Sequence, residues 1–84
     1  MHTVVEISMY PLREDYVPAI DAFIADLHGA EGVTVTTNAT ATQLQGEYEA
    51  VMACLQAAIA RSREAQGKAV FVTKIIPGYR PGDD

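Results

Sequence analysis

The order in which hydrophobic periodicity changes along the chain constrains its fold more than any single motif does. Segments that alternate apolar and polar side chains indicate strands, and segments whose apolar residues recur every three or four positions indicate helices. Pro11, Gly29, Gly67 and Pro77 stand at the ends of four such segments, where regular structure stops readily. The predicted elements are a strand at 3–9, a helix at 16–28, strands at 33–37 and 40–45, a helix at 47–66 and a strand at 69–76.

This order, strand–helix–strand–strand–helix–strand, is that of the split βαβ arrangement. Each helix then makes a right-handed crossover that skips one strand, so the sheet is antiparallel and both helices cover the same face. We therefore expect an α+β, ferredoxin-like βαββαβ two-layer sandwich with an antiparallel four-stranded sheet. The 84 residues leave room for one core only, which predicts a single domain over residues 1–84, with a tail at 79–84 that frays.

Residues 33–45 are predicted to form a β-hairpin. Asparagine accepts turn geometry well, so a two-residue turn at Asn38-Ala39 would set Val35 opposite Thr42. Side chains would then alternate between the face covered by the helices and the uncovered face. The uncovered face is expected to be mixed in polarity, which suits a partner sheet, a ligand, or both. Its polar members would be Glu6, Ser8, Thr34, Thr36, Gln43 and Gln45.

Charge and apolar content limit the classes of partner. The net charge is −5 and the six basic residues are scattered among eleven acidic ones, so a nucleic-acid partner is not expected. The absence of a long apolar run and of a secretory signal, together with a lone cysteine, predicts a cytoplasmic protein with no membrane partner. The hydrophobic content of 49% is high for so small a chain, which favours a homo-oligomer over a compact monomer.

No set of residues has the pattern of a catalytic or metal site, which would need an activated nucleophile or clustered ligands. His2 stands near the start of the chain, and His28 ends the first predicted helix, where it is better suited to cap the helix than to bind a metal. Cys54 lies beside the apolar stripe of the second predicted helix, with no cationic neighbour in sequence to activate it. We therefore expect no enzymatic activity, no metal and no cofactor.

The hairpin is rich in hydroxyl and amide groups, the neutral donors and acceptors that orient a polar heterocycle. Threonine is also simply a good strand former on a wetted face, so both interpretations stand. Glu6, on a half-buried strand, needs a cationic partner, either Lys74 on the last strand or the amine of a ligand. Tyrosines could add aromatic walls, or could merely pack with their hydroxyls in water. The residues concerned are Thr34, Thr36, Thr37, Asn38, Thr40, Thr42 and Gln43, and Tyr10, Tyr16 and Tyr48.

Four runs together carry a resemblance to a known family. They are VEISMYPL at 5–12, VTTN at 35–38, TQLQGEY at 42–48 and VFVTKII at 70–76. In this combination the chain resembles the small, single-domain members of the YkoF-related, thiamine-binding protein family, over roughly residues 3 to 78. The resemblance implies a ferredoxin-like fold, assembly through the sheets into dimers or tetramers, and binding of thiamine or its hydroxymethylpyrimidine part without catalysis.

The resemblance also suggests which residues form the ligand site. The candidates are Glu6, Ser8, Tyr10, Asn38, Thr40, Thr42 and Glu47. Glu47 could equally stabilise the positive start of the second helix. The ligand could lie on the uncovered sheet face or at the end of the hairpin. The expected function is non-enzymatic binding of thiamine or its pyrimidine moiety for transport, storage or sensing. The alternatives are an oligomeric assembly or regulatory module without a small ligand and, by fold analogy alone, an enzyme of the dimeric α/β-barrel type.

Overall fold

The structure is a computed structural model that describes residues 1–82. It has the six elements in the predicted order. The boundaries differ from the predicted ones mainly at the first strand, which is longer, and at the third, which starts later. The elements are β1 (His2–Pro11), α1 (Val17–His28), β2 (Val33–Thr37), β3 (Thr42–Glu47), α2 (Tyr48–Gln66) and β4 (Ala69–Ile76).

The four strands form one antiparallel sheet in the order β2-β3-β1-β4, which confirms the ferredoxin-like α+β fold. β1 and β3 occupy the centre, while β2 and β4 are the edges. The two crossover connections are made by α1 and α2, which pack against each other and on the same face of the sheet.

The core lies between that face and the helices. Val5, Ile7 and Leu44 face it from the two central strands and are almost fully buried. The helices contribute apolar side chains at helical spacing, among them Phe23, whose ring lies 5.0 Å from that of Phe71 on β4, centroid to centroid. Burial of each large apolar side chain contributes about 1.5–3 kcal/mol. No helix within residues 1–82 is both long and apolar enough to cross a membrane.

The predicted hairpin register is wrong by two residues. Val35 lies opposite Leu44, and Thr42 lies opposite Thr37 instead of Val35. The reason is that the turn is centred one residue later than predicted, between Ala39 and Thr40, where the backbone N–H of Asn38 donates to the Ala41 carbonyl at 3.0 Å. A slip of two residues keeps each side chain on its face, so the assignment of faces survives the error.

The opposite face of the sheet is uncovered and mixed in polarity. Glu6 and Lys74 lie opposite each other there, with 3.9 Å between Oε1 and Nζ. Three apolar side chains of edge strand β4 also point to this face, and each is about half exposed. They are Val70, Val72 and Ile76, at 48%, 50% and 47%.

The start of the tail is held in place, in contrast to the expected fraying. The backbone N–H of Tyr79 donates to the carbonyl of His2 at 2.8 Å, which continues the contact between the ends of β1 and β4. The last two residues of the predicted tail, 83 and 84, lie outside the described residues.

We predict that Gly46→Ala destabilises the fold by about 1–3 kcal/mol, the usual range for forcing an atom into a packed site. A Cβ at Gly46 would overlap the carbonyl oxygen of Gly32, a backbone atom that cannot rotate away. Urea unfolding followed by circular dichroism measures the change. Gly29→Ala is the matched control, because the Cβ there would lie 3.4 Å from the nearest heavy atom, the Asp26 carbonyl oxygen. Equal stability of the two variants would contradict the prediction.

Candidate functional site

A cavity of about 450 Å³ opens where β1 extends beyond Thr42, the first residue of β3. β1 has ten residues and β3 has six, and their pairing stops at Ile7 and Thr42. The last residues of β1 therefore have β4 on one side and, on the other, the hairpin loop and the first turns of α1. The volume falls within the ~300–1,000 Å³ typical of small-molecule sites. The lining residues are Ile7, Ser8, Met9, Tyr10, Pro11, Tyr16, Ile20, Phe23, Ile24 and 37–42.

One side chain organises the hairpin loop. Asn38 Oδ1 accepts hydrogen bonds from the backbone N–H groups of Thr40 and Ala41, both at 2.9 Å, and from the Thr40 hydroxyl at 3.1 Å. This is an Asx-type turn, in which a side-chain oxygen takes the place of a backbone acceptor. With its oxygen engaged, Asn38 keeps the two N–H donors of its amide for other partners.

Two further hydrogen bonds tie the loop to the sheet. Ser8 Oγ donates to the Thr40 carbonyl at 3.1 Å, and the hydroxyls of Thr37 and Thr42 lie 3.2 Å apart. Each hydroxyl has one donor and two acceptor positions, so both pairs retain capacity for a ligand. The polar rim of the cavity is thus positioned by hydrogen bonds within the protein.

The remaining wall is apolar and aromatic. Ile20, Phe23 and Ile24 project from α1, and the exposed side chains of Tyr10 and Tyr16 line the cavity as well. A flat ring can pack against such a wall while its edge meets the polar rim.

The structure brings together part of the predicted site. Five of the seven candidates line the cavity, and the two glutamates do not. Glu6 lies on the uncovered face with Lys74, the protein partner considered for it from the sequence. Glu47 lies at the far end of β1, where its carboxylate is 2.7 Å from the N-terminal ammonium. The hydrogen bond and charge of that ammonium lower the pKa of the Glu47 carboxyl below its ordinary value.

Cys54 lies outside the cavity lining. Cys54 is buried against the Leu27 carbonyl, with its Sγ at 3.5 Å, and burial raises the pKa of its thiol. A thiol in that state is a poor nucleophile, since the thiolate is the reactive form. In residues 1–82 no three His, Cys, Asp or Glu side chains are grouped so that they could hold a metal ion.

Several lining residues were not proposed from the sequence as ligand contacts. Ile20, Phe23 and Ile24 fall within the segment 16–28 that periodicity predicts as a helix, and Met9 within the predicted strand 3–9. Nothing in their spacing distinguishes a residue that lines a cavity from one that packs in the core, because the cavity arises from the unequal lengths of β1 and β3. Tyr16, considered as an aromatic wall, does line it.

Comparison with known proteins supports the fold and gives the family. A family model described as the YKOF-related family matches residues 2–82. A Streptococcus pneumoniae protein of solved structure is 26% identical, with a TM-score of 0.85, over 94% of this chain and 89% of that one. A Thermotoga maritima protein, named for an assumed role in thiamine biosynthesis or salvage, is 21% identical, with a TM-score of 0.80, over 98% and 87% of the two chains. No curated protein matches the chain. The chain belongs to the YKOF-related family.

Proposed function

We propose that this protein binds thiamine or its hydroxymethylpyrimidine moiety, without catalysis, in the cavity at the end of the hairpin. The observation that carries the proposal is the polar rim, fixed by Asn38 Oδ1, beside an apolar wall in a cavity of about 450 Å³. The family and the name of the Thermotoga maritima relative support this choice among polar heterocycles. Transport, storage or sensing would each use such reversible binding.

The chemistry of the rim suits the pyrimidine half of thiamine. An aminopyrimidine is flat and neutral and carries both donors and acceptors at its edge. Asn38 offers amide N–H donors, and the hydroxyls of Ser8 and Thr40 keep acceptor positions free. A methyl-substituted ring would pack against Phe23 and Ile24 on the helix side.

The cationic thiazolium would lie at the mouth of the cavity. No acidic side chain is among the lining residues, and both glutamates proposed from the sequence are held elsewhere by ion pairs. The exposed rings of Tyr10 and Tyr16 could still attract a cation through their π faces. We therefore expect the pyrimidine to supply most of the affinity and the thiazolium to add little.

The same lining supports the proposal of binding without catalysis. It contains no His, Cys, Asp, Glu, Lys or Arg, which are the side chains that most often act as acid, base or nucleophile. Hydroxyls without an adjacent base are weak nucleophiles at neutral pH. Detection of a reaction product by mass spectrometry after incubation with thiamine would contradict the proposed absence of catalysis.

The binding test is calorimetry with thiamine and with free hydroxymethylpyrimidine on the wild-type protein and on Asn38→Asp. The aspartate keeps the oxygen that the turn requires but removes the N–H donors, so we expect an unchanged melting temperature. Affinity for the neutral pyrimidine should fall about tenfold, the effect of losing one buried hydrogen bond.

Gln66→Glu is the matched control, because it makes the same amide-to-acid change at the end of α2, where the side-chain oxygen still accepts from Arg13. This variant should bind like the wild type. Absence of heat with either ligand at millimolar concentration, from a folded wild-type protein, would refute the proposed function.

We also propose that copies of the chain associate through the uncovered sheet faces. A domain of this size buries only about 60% of the surface of its unfolded chain, so it gains from further burial. Val70, Val72 and Ile76 supply apolar side chains along edge strand β4, and Lys74 of the Glu6–Lys74 pair lies between Val72 and Ile76 on the same face. An assembly module without a ligand would use the same surface and would be indifferent to thiamine.

Val72→Glu should shift the protein from oligomer to monomer in light scattering, because it places a carboxylate among those apolar side chains. Val17→Glu is the control, since Val17 is equally exposed but begins α1, where an acidic side chain is favourable. A wild-type protein that is monomeric at every concentration, or a Val72→Glu variant that remains oligomeric, would contradict the association proposal.

A further inference from the structure

The hydrogen-bonding direction of each β1 residue follows from its contacts at the two ends of the strand. In an antiparallel sheet, alternate residues direct both their N–H and C=O to opposite neighbours. Leu12 N donates to the Lys68 carbonyl at 3.0 Å on the β4 side. The backbone N–H and C=O groups of the even-numbered residues therefore point to β4. Tyr48 N donates to the Met1 carbonyl at 3.0 Å, so the backbone N–H and C=O groups of the odd-numbered residues point to β3. Both registers are unbroken, so the alternation holds along the whole strand.

Met9 is the first odd-numbered residue after Ile7, where the pairing of β1 with β3 stops. Continued pairing would place Thr40 opposite it, but the Thr40 N–H donates to Asn38 Oδ1 and the Thr40 carbonyl accepts the Ser8 hydroxyl. Within residues 1–82 the backbone N–H and C=O of Met9 therefore have no hydrogen-bond partner. Met9 is only 9% exposed and lines the cavity, and buried backbone groups are nearly always paired.

Pro11, the next residue that faces the same way, makes this edge unsuitable for a further strand. Proline has no N–H, so the edge beyond Ile7 presents one donor, that of Met9, followed by the carbonyls of Met9 and Pro11. An added β-strand needs a regular series of donors and acceptors, which is interrupted here. A small planar group needs only one adjacent donor and acceptor, so the missing N–H of Pro11 does not prevent it from binding.

We infer that the Met9 backbone is a recognition element of the cavity, which binds a heteroaromatic ring carrying a hydrogen-bond acceptor beside a donor. The N–H and C=O of one extended residue lie side by side, so their partner must offer the complementary pair in one plane. A ring nitrogen next to an exocyclic amine, as in an aminopyrimidine, is such a pair. The inference rests on the proposed function and adds the atoms that select the aminopyrimidine edge.

The decisive measurement is NMR of the ¹⁵N-labelled protein during titration with ¹⁵N-labelled hydroxymethylpyrimidine, with calorimetry in parallel. We expect the Met9 amide proton to move downfield, to exchange more slowly, and to show a through-hydrogen-bond coupling between the Met9 nitrogen and a ring nitrogen. The Ile7 amide, which faces β3 opposite Thr42, is the internal control and should change little.

Heat of binding without any change at the Met9 amide would overturn the inference and leave the proposed function intact. An absence of heat together with an unchanged Met9 amide would overturn both. Protection of the Met9 amide that grows with protein concentration in the absence of ligand would also overturn it, by showing that another copy of the chain occupies the edge.

A pair of variants tests the N–H separately from the side chain. Met9→Pro removes the N–H at a position where β4 does not use it, and Met9→Leu keeps the N–H with a similar apolar side chain. We expect Met9→Pro to weaken binding of the pyrimidine at least about tenfold relative to Met9→Leu. Equal binding by two folded variants would overturn the inference, and the NMR titration decides if Met9→Pro does not fold.

Discussion

The three hydrogen bonds accepted by Asn38 Oδ1 are the interaction on which the site depends. They fold residues 38–41 into a turn, so the returning chain cannot pair with β1 until Thr42. β1 continues for four more residues without a neighbouring strand on that side, and the space beside it is the cavity. The same turn positions the Thr40 carbonyl to accept the Ser8 hydroxyl, so one amide determines both the opening and its polar rim.

None of the residues that line this site carries a charge. Glu6 pairs with Lys74 across the uncovered face, and Glu47 pairs with the N-terminal ammonium at the opposite end of β1. Both pairs are exposed, where water screens them and each contributes little stability. Their consequence for the site is that its lining offers neutral hydrogen-bonding groups and aromatic rings.

Much of the fold could be predicted because it depends on patterns that neighbouring residues share. Alternation in β1 and the helical stripes of α1 and α2 identify which sides are apolar, and the order of elements leaves few ways to bury them together. The hairpin register could not be predicted in the same way. It depends on whether the turn is centred on Asn38-Ala39 or on Ala39-Thr40, and the local sequence is compatible with both. The candidate site was accordingly predicted in part, through Ser8, Tyr10 and the hairpin residues.

By itself the sequence determined the order of elements, the apolar faces and a hydroxyl-rich hairpin, since each is a property of residues close together in the chain. Only the tertiary structure decided that β1 extends four residues beyond its pairing with β3, and that Glu6 and Glu47 lie apart from the cavity. It also decided that α1 supplies the apolar wall and that the Met9 backbone faces the cavity. These features depend on the relative lengths and register of strands far apart in the chain. Side-chain periodicity specifies which face a residue occupies but not where its neighbouring strand stops.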